Sequence, residues 1–299
     1  PPLPRLPAPA STPGALAALQ SRIEALVDRL HDRAAEGGGM DLIADFAAAV
    51  PIQLVGDMLG VPEAERGPLR GWSLAILSGL EPVLTPAQPP PGDRAAAEFK
   101  AYLRDLIDRR ERAPTRDEGE ILSTLTAGSA LGRADSTGER LSELELLHNC
   151  IFLLNAGHET TTNLIGNAVD LLLRHPEALT GLRAEPGLIG SAVEEFLRLE
   201  GSDQLGNRRA ASDTAVAGVP MPAGTYVHIG IGAANRDPAQ FPDPDRLDPG
   251  RHPNRDLAFR TRVPARSRAR HVDHRILRQR DVAAVRGEVH RARANADFD

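Results

Sequence analysis

"LLHNCIFLLNAGHETTTNLIGNAVDLLLR", residues 146–174, decides how this chain reads. Leucine and isoleucine fill both ends, yet "NAGHETTTN", residues 155–163, puts a glycine, a histidine, an acid and three threonines at the centre. Ser142 and Glu145 upstream have the S-x-x-E spacing of a capping box, and Pro176 bars continuation. The spacing predicts a helix over residues 142–174, roughly 50 Å long at 1.5 Å per residue. Its centre is too polar for a bilayer and it has no heptads. A helix that long and apolar on most sides is expected to run through the middle of a large domain. Gly157 and the β-branched threonines are weak helix formers, and threonine hydroxyls bond back to carbonyls a turn earlier, bending or opening the helix. A glycine also lets a flat group approach the backbone, and Glu159 beside the Thr160 hydroxyl is a plausible relay for protons. The residues alone fit a second reading equally well: Asn155, Glu159, Asn163 and Asn167 recur at every fourth position, as on a solvated face. A zinc-protease helix is set aside, because H-E-x-x-H needs histidine where Thr162 stands.

Working outward, helical periodicity marks residues 12–39, 41–60, 62–79, 94–113, 120–128 and 187–200, the second interrupted at Pro51. Residues 208–218 and 224–232 alternate like strands across a Pro/Gly turn, and a Pro/Asp-rich irregular stretch follows. The fold class is therefore mainly α with a small β-sheet (α+β). The 299 residues carry a formal charge of −6 with 41% hydrophobic content, a globular composition. No secretory leader is evident, no run of 18 apolar residues stands out, and Cys150 is the single cysteine. These point to a reducing, cytoplasmic setting without disulfides or a membrane partner. Residues 260–299 differ in style, with eleven arginines against five acids.

Residues 156–161, "AGHETT", resemble the oxygen-activation motif (A/G)-G-x-(D/E)-T-(T/S) of the cytochrome P-450 heme-thiolate monooxygenases, bacterial soluble type. Three further features match in order. "EFLR" resembles the family's E-x-x-R, with Glu195 and Arg198 in its structural lock. "RRAASDTAVAGVPMPAGTYV" resembles the hairpin whose arginine, here Arg208, reaches a heme propionate. "NRDPAQFPDPDRLDPGR" resembles the meander, with Arg246 as the arginine that completes the lock; the family's P-x-R-F reads "PDRL" here, departing at Leu247. The resemblance implies a heme cofactor (iron protoporphyrin), with Ala156 and Gly157 against it and Gly157 leaving room for dioxygen. Glu159 and Thr160 would then supply protons for O–O cleavage. It further implies insertion of one oxygen atom from O2 into a small apolar molecule, with electrons from a ferredoxin and its reductase or a similar donor.

The resemblance covers residues 14–259 and is incomplete at both ends. Residues 1–13 form a non-matching Pro-rich segment. Residues 260–299 form a non-matching Arg-rich tail, expected to be disordered, where the family carries its cysteine loop and heme-packed helix. The expected architecture is thus a cytochrome P-450 fold lacking its N-terminal part and its C-terminal heme-thiolate loop and helix. No metal ligand is assigned, and the chain as written is expected to be truncated or frame-shifted, and inactive. The alternative is a non-catalytic helical binding protein that retains the middle of the fold. Nucleic acid is not an expected partner of the basic tail, because no aromatic is interleaved with its arginines.

Overall fold

The computed structural model describes residues 13–79, 91–112 and 142–258. Residues 1–12 and 80–90, the short helix expected over 120–128 and the basic tail lie outside the described residues. The chain divides into two compact units, Pro1–Thr162 and Asn163–Asp299.

In the first unit, α1 (Pro13–Gly37) leads into a π-helical turn, Leu42–Ala47, and then α2 (Ala49–Leu59), α3 (Gly67–Ser78) and α4 (Pro91–Arg112). The interruption expected at Pro51 falls at Ala48 instead. Proline lacks the N–H that would bond to the Ala47 carbonyl, so the ladder breaks four residues earlier and Pro51 sits harmlessly in the first turn of α2. Asp41 caps the π-turn, accepting from the N–H groups of Ile43 and Ala44 at 2.8 Å. By length and composition Leu42–Leu59 is apolar enough to cross a membrane, which the sequence reading missed. Half of it is buried: Val55 and Leu59 pack on Leu69 of α3, on Phe99, Leu103 and Leu106 of α4, and on Leu147 and Leu154. The α4 members recur at intervals of four and three, which aligns them on one face. Each such side chain contributes roughly 1.5–3 kcal/mol when fully buried.

The long helix, α5, runs from Glu143 to Arg174 as predicted, and the boundary between the two units falls within it. Its capping box forms: the Ser142 N–H donates to Glu145 Oε2 at 2.8 Å, and the Glu145 N–H returns to Ser142 Oγ at 3.3 Å.

In the second unit, α6 (Pro176–Ala184) and α7 (Ile189–Glu200) follow the end of α5. Leu171 and Leu172 pack with Leu179, Leu182, Phe196, Leu199 and Leu247. The expected hairpin is a nested pair. β1 (Leu205–Arg209) pairs antiparallel with β4 (Tyr226–Gly230), and β2 (Thr214–Val216) pairs with β3 (Val219–Met221) inside it. A short helix, α8 (Ile231–Ala234), opens the irregular meander.

Candidate functional site

In the first unit one stretch of α5 carries Ala156, Gly157, Glu159 and Thr160 together. The helix does not open there and remains α-helical throughout. The Thr160 hydroxyl donates to the Ala156 carbonyl at 2.8 Å, and that of Thr162 to the His158 carbonyl at 2.9 Å. These bonds share carbonyls with the helix ladder without displacing its N–H donors. The solvated-face reading fails in part: Asn163 is exposed, but Asn155, Glu159 and Asn167 are half-buried. Asn167 donates to the Glu200 carbonyl at 2.8 Å. Ala156 is exposed. A Cβ on Gly157 would stand 3.0 Å from Val55 Cγ2. Within the first unit, Val55 of α2 is thus the neighbour that a larger residue at 157 would meet.

His158, unremarked in sequence except as a failed zinc ligand, is 1% exposed, and its Nδ1 lies 3.1 Å from the hydroxyl of the fully buried Ser73 on α3. Its Nε2 is shut from solvent without a hydrogen-bond partner. Burial first, and the Arg70 guanidinium second, push its pKa down from 6.5 to about 4. The folded chain thus keeps this imidazole neutral where the unfolded chain would protonate it. Between pH 6.5 and about 4 the unfolded state binds the extra proton, so stability falls as pH falls. Denaturant melts at pH 7 and pH 4.5 should differ by about 2–3 kcal/mol from this group, and His158→Gln should flatten that slope. An unchanged slope would show that His158 titrates normally.

In the second unit the E-x-x-R pair is fully buried, Glu195 and Arg198 both at 0% exposure. Arg198 grips Glu195 with two bonds, Nε to Oε2 at 2.8 Å and Nη2 to Oε1 at 2.9 Å. Its other N–H groups donate to the carbonyls of Asn235 at 2.8 Å, Pro244 at 2.7 Å and Arg246 at 3.3 Å. All five guanidinium donors are used. The Phe241 ring lies 5.1 Å from the guanidinium carbon, a cation–π contact.

The third member of the lock is Arg251, which corrects the assignment of Arg246. Arg251 Nε donates to both carboxylate oxygens of Glu195, at 3.0 and 3.1 Å, and its side chain is 8% exposed. Its Nη1 reaches the Pro242 carbonyl at 2.8 Å, and its Nη2 the Arg246 carbonyl at 3.1 Å. Arg246 contributes that carbonyl, while its own side chain is exposed. Leu247 beside it turns inward to the core, so Arg246 must turn out. The Asp248 N–H and the Asn254 amide complete the shell around Glu195, each at 3.1 Å. The signal was present in "DPGR": Asp248 Oδ1 accepts from the Gly250 N–H at 3.0 Å, a tight turn that sends Arg251 back to the acid. Arg208 lies on β1 opposite Val227, exposed, donating to the Asn207 carbonyl at 2.6 Å.

A thiolate-ligated heme asks for an anionic sulfur, and the chain's single thiol does not fit. Cys150 is 2% exposed in the core of the first unit, and burial pushes its pKa up to about 12. It behaves as a small buried hydrophobe. Among the described residues no group of three or more His, Cys, Asp and Glu is placed to hold a metal ion.

The Cytochrome P450 family model matches residues 91–265. The biotin biosynthesis cytochrome P450 of Bacillus subtilis (strain 168) is 37% identical over 250 residues, covering 84% of this chain and 61% of the relative. The vitamin D(3) 25-hydroxylase of Pseudonocardia autotrophica is 40% identical over 233 residues, covering 77% of this chain and 54% of the relative. Among solved structures, P450BioI in complex with hexadec-9Z-enoic acid ligated acyl carrier protein superposes with a TM-score of 0.76 at 36% identity, covering 89% of this chain and 66% of that one. The chain therefore spans less than two thirds of the length of these relatives. With motif, lock, meander and matched fold in agreement, the chain belongs to the cytochrome P450 family.

Proposed function

We propose that the whole protein is a cytoplasmic monooxygenase that inserts one oxygen atom from O2 into a small apolar molecule, drawing electrons from a ferredoxin and its reductase or a similar donor. The overall reaction takes a substrate C–H, O2, two electrons and two protons to an alcohol and water. Heme, when bound, supplies the oxidising chemistry. The two protons must cross from solvent, and the observation that carries the reading is the Glu159–Thr160 pair on an unbroken α5. Thr160 already holds its hydroxyl proton in a bond to the Ala156 carbonyl, one rotation away from passing it on. An apolar substrate class is supported by two relatives, one named for vitamin D(3) and one captured with hexadec-9Z-enoic acid ligated acyl carrier protein. The present chain, whose only thiol is buried and protonated, is expected to lack this activity by itself.

In the whole protein, Thr160→Ala should lower product formed per electron pair by a factor on the order of 10², the low end for losing a positioned proton donor. The electrons would appear in reduced oxygen species. Thr160→Ser keeps the hydroxyl and should retain coupling. Equal coupling in the alanine variant and its parent would remove Glu159 and Thr160 from the reaction.

A further inference from the structure

Aromatic residues make up 3% of the chain, with one tryptophan and two tyrosines, yet the tryptophan and one tyrosine stand together in the first unit. Trp72 of α3 and Tyr102 of α4 pack against its core with ring centroids 5.6 Å apart, and the fully buried Phe99 lies 5.2 Å from Trp72. Apolar packing accounts for three rings in contact. It does not account for their polar tips, because each of the two oxidisable rings points its proton at a carboxylate. The Trp72 Nε1–H donates to Glu98 Oε2 at 3.1 Å, and the Tyr102 hydroxyl donates to Glu65 Oε2 at 2.7 Å. Arg109 fixes the Glu65 carboxylate with two bonds of 2.8 Å.

We propose that Trp72 and Tyr102 form a redox dyad that carries a one-electron oxidising equivalent out of the core of the first unit, with Glu65 as the proton acceptor of Tyr102. A one-electron oxidant takes an electron from the Trp72 indole, whose Nε1 proton passes to Glu98. Tyr102 then gives one electron to the indolyl radical, and Glu98 returns the proton. With that electron the phenolic proton crosses the 2.7 Å bond to Glu65. In sum one electron leaves Tyr102 for the oxidant, the phenolic O–H bond breaks, a Glu65 O–H bond forms, and Trp72 is restored. The local charges suit this transfer. Hydrogen bonds from Arg109 first and Tyr102 second pull the Glu65 pKa from 4.5 down to about 2, so the acceptor is unprotonated at neutral pH. Burial first, and the Glu65 carboxylate second, push the Tyr102 phenol up, so it keeps its proton until the electron leaves. A phenol that has lost an electron is a strong acid, and a weakly basic carboxylate in contact then suffices to take its proton. Glu65 and Arg109 are half-buried, so the radical comes to rest near solvent. Any one-electron oxidant that reaches Trp72 drives the transfer, which is therefore tested separately from the monooxygenase reaction.

Pulse radiolysis of the full 299-residue chain in azide solution at neutral pH tests this, because the azide radical is a one-electron oxidant that attacks indole first. The indolyl absorption should decay as a phenoxyl absorption rises, with one first-order rate that does not depend on protein concentration. Tyr226→Phe removes the other tyrosine and should leave that rise in place, whereas Tyr102→Phe should abolish it. Glu65→Gln keeps an acceptor oxygen for the hydroxyl but cannot take up the proton, and should slow the transfer by a factor on the order of 10². An indolyl radical that persists in the parent, a first-order phenoxyl rise that survives Tyr102→Phe, or a Glu65→Gln rate within about twofold of the parent would overturn the dyad. Should Tyr102→Phe fail to fold, Tyr226→Phe decides alone, since any phenoxyl radical in that chain belongs to Tyr102 and its absence refutes the transfer.

Discussion

Glu195→Ala should leave the second unit unable to fold stably. The carboxylate is the common acceptor for Arg198 and Arg251, the Asp248 N–H and the Asn254 amide. Its removal strands one fully buried guanidinium and one nearly buried guanidinium without a counter-ion. Removing one partner of a buried pair costs about 3–5 kcal/mol, and here two cations lose the same partner. That is comparable with the whole stability of an ordinary domain, about 5–15 kcal/mol. Glu195→Gln keeps acceptor capacity on one atom only and should be intermediate. Within the same network, Arg251→Ala should destabilise by a few kcal/mol, whereas Arg246→Ala should fall within the ±0.5 kcal/mol expected of an exposed site. The contrast is diagnostic, because the Arg246 carbonyl survives the substitution and its exposed side chain takes no part. Urea melts followed by circular dichroism would read all four variants. A Glu195→Ala chain that melts like its parent would show the pair to be a surface one, against the burial seen here.

The lock shows what a sequence can and cannot convey. The i,i+3 spacing of Glu195 and Arg198 and the run of arginines in the meander were legible, and so was a grouping of the two. Which meander arginine closes the network was not, because it depends on a turn at residues 248–250 and on Leu247 facing inward. Those are properties of a loop without periodicity. The long α5 was legible to within a residue, since its cap and its terminating Pro176 are local chemistry. Its unbroken course through the threonines was not, because back-bonding to carbonyls bends some helices and leaves others intact. The packing role of Gly157 against Val55 and the burial of His158 against Ser73 join residues about 100 and 85 positions apart, and no local signal marks either contact. The displaced break before Pro51 was recoverable in principle: proline disturbs the residue four positions earlier, and the reading placed the fault on the proline itself.

We propose that this chain carries the family's relay and lock without a thiolate able to ligate its iron. Burial pushes the Cys150 pKa up to about 12, so it stays a protonated thiol at neutral pH. Freeing it would mean unpacking Leu147 and Leu154 together with the residues of α2 and α4 that surround them. It also lies roughly 10 Å upstream of Gly157 on the same helix, at 1.5 Å per residue, on the relay's own element and not across from it. His271 and His274 lie outside the described residues and offer imidazole nitrogen, which does not donate as a thiolate does. The most direct test is the absorption spectrum of the purified 299-residue chain, expressed with heme supply, then reduced and exposed to carbon monoxide. No thiolate-type Soret band should appear; its appearance would show that a thiolate of this chain reaches the iron.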